Sequence, residues 1–141
     1  KSNFTISNGH YNMYGDNNTF VKIDECVISH KEINKIMPAL LESINNNKKA
    51  EIKEVVFRYS HFQDALMIIL VSEKDNYFIE KIAQEIVGYS NKVKSVILSH
   101  GQSKNYLFND SEKVIYGEDY LIDKLFNKLF KITSKSFIKL T

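Results

Sequence analysis

The chain has 141 residues, 43% of them hydrophobic and 26% charged, with a formal net charge of +2 at pH 7. That is the size of one domain, able to bury about 65–70% of its unfolded surface and to fold without disulfides. Five Gly, one Pro and one Cys exclude a low-complexity chain and an internal disulfide framework, and the longest apolar run, Ala65 to Val71, falls short of the roughly 20 residues of a membrane span.

In chain order, Asn3 to Ile6 is a short strand candidate. Asn8-Gly9 is a hairpin signal, the turn formers Tyr14-Gly15-Asp16-Asn17-Asn18 follow, and Thr19 to Ile23 is the returning strand. Ser29 with Glu32 three residues on forms a capping box. Ile33, Ile36, Met37, Leu40, Leu41 and Ile44 then recur at helical spacing, and Pro38 inside that pattern predicts a kink or a restart. Asn45 to Lys49 ends the helix as a polar loop.

Glu54 to Ser60 alternates as a strand, with Val55, Phe57 and Tyr59 on one face and Val56 and Arg58 on the other. After a turn at His61 to Asp64, Leu66 to Val71 is apolar on both faces, as suits a central strand covered on both sides. Ile79, Ile82, Ala83, Ile86 and Val87 mark a second amphipathic helix, with Gly88 near its C-terminal cap. Val93 to Leu98 is the next strand, Ser99 to Asp110 a polar loop or loose hairpin, and Lys113 to Tyr116 a strand that turns at Gly117. Leu121 to Phe126 and Leu129 to Ile132, joined at Asn127-Lys128, form a closing hairpin. The expected fold is a single α+β domain with two helices and a mostly antiparallel sheet, in the order β-β-α-β-β-α-β-β-β-β.

Catalytic signatures are sparse. The glycines are scattered, so no phosphate-cradling loop forms, and there is no Gly-x-Ser-x-Gly elbow. His10, His30, His61 and His100 are far apart, and their spacing supports no metal site. The adjacent acids Asp24-Glu25 and Glu118-Asp119 point to opposite strand faces and read as surface charge. Cys26 has three readings: a small core residue, a nucleophile, or a metal ligand whose partners lie elsewhere. No catalytic residue is assigned.

Charge is unevenly placed. Residues 120–141 carry +4, from Lys124, Lys128, Lys131, Lys135 and Lys139 against Asp123, while the rest of the chain carries −2. Phe126, Phe130 and Phe137 are interleaved with these lysines. Such a segment can follow a phosphate backbone and stack a base, although a solvated strand face has the same composition. The chain also starts at Lys1 and stops in the apolar sequence Ser136 to Thr141, whereas natural termini commonly fray into polar residues. The expectation is a piece of a longer protein.

Four stretches, taken in order, resemble a known family. Val21-Lys22-Ile23-Asp24-Glu25-Cys26-Val27-Ile28 is similar to a "hydrophobic-Asp-x-x-Cys-x-Ile" segment. Val55 to Tyr59 followed by Ala65 to Val71 is similar to an "Ile-Arg-Tyr … Met-Val-Val-Leu-Val" hairpin, and Val114 to Tyr120 to "Leu-Tyr-Gly-x-Asp-Tyr". Phe130 to Phe137 resembles the start of "Phe-x-Ile-Ser-Pro-x-Ser-Phe-x-Gln-x-Asn". Together they resemble the central domain of the S-adenosylmethionine-dependent RNA uracil-5-methyltransferases, in the bacterial branch that methylates 23S ribosomal RNA and often carries a 4Fe-4S iron–sulfur cluster.

The resemblance implies an RNA-holding, substrate-positioning domain of a cytoplasmic, monomeric enzyme. An N-terminal RNA-binding domain and a C-terminal Rossmann-like catalytic domain would lie outside this chain. In that family a Cys thiolate adds to C6 of uracil, C5 takes the methyl group from S-adenosylmethionine, and a base removes the C5 proton; those groups belong to the catalytic domain, so this chain alone is not expected to be active. By position, Cys26 matches the fourth iron–sulfur ligand, Phe137 the aromatic near the target uridine, and Lys139 the Gln that touches S-adenosylmethionine. The intact parent would hold both cofactors and this chain neither. Arg58 and Lys135 are the candidates for RNA contact. The pattern departs at Ser134 for Pro, Lys139 for Gln and Thr141 for Asn; Lys only donates hydrogen bonds where Gln also accepts. The alternatives are a domain of an inactive paralogue, or a self-contained α+β module that binds RNA or protein.

Overall fold

The computed structural model describes residues 11–14, 19–23, 30–101 and 111–135, with side chains from residue 35 onward in those ranges. The elements are β1 (Tyr11–Tyr14), β2 (Thr19–Ile23), α1 (His30–Asn46), a 3-10 turn (Lys48–Ala50), β3 (Glu54–Ser60), β4 (Ala65–Ser72), α2 (Tyr77–Tyr89), β5 (Val93–His100), β6 (Ser111–Gly117), β7 (Tyr120–Leu125) and β8 (Lys128–Thr133). The fold is α+β and follows the order expected from the sequence.

Six strands form one sheet in the order β1-β2-β3-β4-β5-β6, and β7-β8 is a separate two-stranded sheet. Hairpins give the antiparallel pairs β1–β2, β3–β4 and β5–β6, while α1 and α2 carry the chain across to the parallel pairs β2–β3 and β4–β5. A helical connection is what parallel neighbours require. The strand paired with β2 is Tyr11–Tyr14, in place of the expected Asn3–Ile6, which lies outside the described residues. Tyr11–Tyr14 is separated from β2 by four turn-forming residues, a short connection that favours this closer partner.

Both helices cover one face of the sheet. Ile36, Met37, Leu40, Leu41 and Ile44 of α1 and Ile79, Ile82, Ala83 and Ile86 of α2 pack on Val55, Phe57 and Tyr59 of β3 and Leu66, Ile68 and Leu70 of β4. These positions recur at three- and four-residue spacing in the helices and at two-residue spacing in the strands, so one stripe meets one face. Helix α1 runs unbroken through Pro38, so the expected restart is absent. Pro38 is exposed, and the apolar stripe on the opposite side of α1 outweighs one missing hydrogen bond.

Asn76 caps α2: its side-chain oxygen accepts from the Phe78 N–H at 3.0 Å, and its amide donates to the Ala50 carbonyl at 3.3 Å. At the other end of α1, the Asn47 amide donates to the Ser43 carbonyl at 2.8 Å, satisfying a late-helix acceptor. Ser43 also donates to Glu85, tying α1 to α2.

The opposite face is covered by β7–β8. Leu121, Phe130 and Ile132 pack on Val56, Ala65, Met67, Ile69, Val71 and Ile97. Strands β3 and β4 are therefore buried at every position. The link from β6 to β7 needs a glycine. Gly117 has φ +75°, and a Cβ there would lie 1.9 Å from the Lys94 carbonyl oxygen. The next residue, Glu118, accepts a hydrogen bond from the Ser95 hydroxyl on its carbonyl. The Tyr-Gly-x-Asp-Tyr stretch is thus a close crossing of backbones.

Candidate nucleic-acid interface

The sequence places its charge asymmetry at the C-terminal end, and the structure shows how that end is held. Strand β7 docks on the β3–β4 turn. The Phe62 N–H donates to Asp123 Oδ1 at 3.2 Å, and the Ile122 N–H donates to Gln63 Oε1 at 2.7 Å. Ser60 donates its hydroxyl to the Ile122 carbonyl and accepts from the Gln63 N–H at 3.1 Å. Asp123 also accepts from the Lys124 N–H at 2.9 Å. Asp123 is buried, and its Oδ1 accepts from two backbone N–H groups, which satisfies that buried acceptor.

Arg58 occupies the β3 face beneath the hairpin and is only 6% exposed. That face is covered by β7–β8, so Arg58 does not lie on an open strand face. The alternation along β3 does not report a second sheet supplied from more than 60 residues away. Arg58 Nη2 donates to the Ser134 carbonyl at 3.2 Å. Ser134 is buried, and its hydroxyl donates to Glu112 of β6. The guanidinium and the carboxylate therefore grip the chain as it leaves β8. Lys135, next in sequence, is half-buried at that exit.

Of the residues singled out from the sequence, Arg58 and Lys135 are thus brought to one place. Cys26, Phe137 and Lys139 lie outside the described residues. Among the described residues, no cluster of three His, Cys, Asp or Glu side chains could hold a metal ion. The described part therefore supplies no ligand set for a cluster, and a lone thiolate is one ligand of the four such a cluster takes. His61 stacks edge-on against Tyr59 at 4.8 Å, an aromatic packing contact.

Three exposed titrating groups are shifted, each by neighbouring side chains. Lys92, with Tyr59, holds Asp64 below the ordinary carboxylate value. Lys53 does the same for Glu73. Asp75 and Glu80 raise Lys113. These pairs tie turns and loops to one another, and in the case of Lys113 tie β6 to α2 and the loop before it; they are scattered rather than gathered in one cleft, so they mark scaffold and not chemistry.

Sequence reasoning missed the Gln63 and Asp123 contacts that seat the hairpin. Their signal is weak: a polar residue in a turn and an acid inside an alternating strand, both ordinary until the two elements meet. Among the described residues, no helix is long and apolar enough to cross a membrane.

No protein-family model matches the chain. Individual relatives do. The chain is 27% identical to an uncharacterized RNA methyltransferase of Oceanobacillus iheyensis, over 82% of this chain and 28% of that protein. It is 25% identical to one of Halalkalibacterium halodurans, over 83% and 28%. It is also 25% identical to one of Staphylococcus aureus, over 85% and 29%. The chain is related in sequence to these RNA methyltransferases over most of its own length, while spanning less than a third of theirs.

Proposed function

We propose that the chain is the RNA-holding, substrate-positioning domain of an RNA uracil-5-methyltransferase that acts on ribosomal RNA. The observation that carries this reading is the extended similarity to proteins named RNA methyltransferases, over 82–85% of the chain in the three relatives given above. The four motifs supply the uracil-5 and ribosomal branch, and the +4 charge of residues 120–141 suits a phosphate backbone.

Arg58 acts in this reading as a positioning residue. Its bond to the Ser134 carbonyl fixes where the chain leaves β8. That sets Lys135 at the exit from β8 as an RNA contact, while the motif resemblance assigns Phe137 to the target uridine and Lys139 to S-adenosylmethionine. S-adenosylmethionine supplies the methyl group when bound. Cys26 contributes one thiolate to an iron–sulfur cluster completed by residues beyond this chain. The protein is cytoplasmic and monomeric.

The test uses the full-length protein with S-adenosylmethionine labelled in the methyl group and unmodified ribosomal RNA. Label at C5 of a uridine is the expected result, with none transferred by the 141-residue chain alone. Label on another base or on protein, or rapid transfer by the isolated chain, overturns the proposal.

A further inference from the structure

The outer face of the β7–β8 hairpin is unlike the rest of the described surface. The register pairs Tyr120 with Thr133, Ile122 with Lys131 and Lys124 with Leu129 on the side facing away from the sheet. Lys124 and Lys131 are exposed on that side, Lys128 is exposed at the tip on the other side, and among the described residues none of the three is in a salt bridge. Within β7 and β8, Asp123 is the one acid, and it is buried and turned inward. Two of these lysines sit over aromatic rings. Lys131 Nζ is 4.3 Å from the Tyr120 ring centroid, and Lys124 Nζ is 5.9 Å from that of Phe62.

The tip adds a second, independent feature. Phe126 and Asn127 both have positive φ, 51° and 64°, the backbone of a two-residue type I′ turn. Such turns favour Asn and Gly, and a bulky side chain there is strained. Phe126 is nonetheless 84% exposed, with Leu129 at 51% and Phe62 at 53% beside the same strands. A strained, solvated phenyl ring contributes nothing to packing, and strain of this kind gathers at binding sites.

We propose that this face and its tip bind single-stranded RNA, with Phe126 stacking on a base, Lys124 and Lys131 contacting phosphates along the face, and Lys128 contacting one at the tip. Every base has a π face, so the site takes unpaired RNA with little regard to sequence. Charge complementarity selects this occupant: two lysines on an apolar, aromatic face and a third at its tip match a polyanion with exposed bases. The inference rests on the RNA reading above and adds where on the chain the strand lies.

The test is fluorescence anisotropy of a labelled 12-nucleotide unstructured RNA with the 141-residue chain, across a salt series. Phe126→Asn is expected to weaken binding about tenfold. Asn suits positive φ, so the same variant should melt no lower than the parent, which separates lost stacking from lost fold. The triple variant Lys124→Gln, Lys128→Gln, Lys131→Gln should flatten the slope of log affinity against log salt by about 2, at roughly 0.7 per phosphate contact on a single strand. If the chain binds RNA and both variants bind as tightly, the hairpin assignment falls while the RNA reading stands. If the chain binds no RNA even at low salt, both fall. A concentration-dependent dimer that Phe126→Asn abolishes, with RNA affinity unchanged, gives the face to a second copy of the chain and overturns the proposal.

Discussion

Two hairpins in this molecule are built from similar numbers of residues and have opposite fates. The β3–β4 hairpin is buried at all fifteen strand positions, with helices on one face and β7–β8 on the other. The β7–β8 hairpin is buried on one face only, and its outer face presents lysines and exposed apolar rings. A strand covered on both sides is bound by packing at every position, so its sequence is given over to stability. A strand covered on one side leaves every second residue unconstrained by packing, and there binding chemistry can be placed. The difference separates scaffold from candidate interface within one chain.

The comparison is broken most severely from the core. Phe57→Ala removes a fully buried ring shared by β3 and both helices, and should cost about 3–5 kcal/mol in urea denaturation. Phe130→Ala, on the inward face of β8, should cost a similar amount, but amide exchange should speed first in residues 120–133, because the hairpin docks through few apolar side chains. Equal protection loss in both hairpins would show that they unfold as one unit.

Gly117→Ala comes next. The added methyl meets the Lys94 carbonyl at 1.9 Å and the φ of +75° is unfavourable for Ala, so a loss of about 2 kcal/mol or more is expected in thermal or chemical melts. Arg58→Met keeps the stem and removes the bond to the Ser134 carbonyl. It should cost about 1–3 kcal/mol and lower RNA affinity through the displaced Lys135. Arg58→Lys keeps the charge and should restore only part of that affinity, because an ammonium lacks the planar fork of the guanidinium.

The smallest effect is in pH. Asp64 and Glu73 have folded values below their ordinary 3.8 and 4.5. A carboxylate lowered in the folded state contributes stability above its ordinary value and loses it as pH falls through the folded one. Melting temperature should therefore drop modestly below about pH 4.5, and Asp64→Asn should shrink that drop. Lys113 has the reverse sign: its raised value contributes below 10.5 and is lost as pH climbs through the folded value.

Much of the scaffold was legible from residue patterns. The period-2 run of β3, the continuous apolar run of β4 and the stripe of α2 each state their own element, because burial selects apolar residues at the period of the backbone. The candidate interface was legible only in part. Lys135 and the basic end could be read as composition. The burial of Arg58 could not, since alternation shows that Val56 and Arg58 share a face but not what covers it. The strained tip was misplaced by one residue: Asn127-Lys128 was the expected turn, and Phe126-Asn127 is the one formed. Phe is a poor turn residue, so local preference pointed one step along, and the register of β7 on β8 decided otherwise.

The sequence by itself determined the element order and the α+β class, which follow from periodicity and from runs of local residues, and it carries the similarity to proteins named RNA methyltransferases. Tertiary structure alone decided that the eight described strands split into a sheet of six and a sheet of two, that α1 passes through Pro38, and that Arg58 is buried and bonded to the Ser134 carbonyl. The physical reason is the same in each case. Local patterns encode which side of an element is apolar, whereas the partner that covers that side is chosen by contacts between residues far apart in the chain.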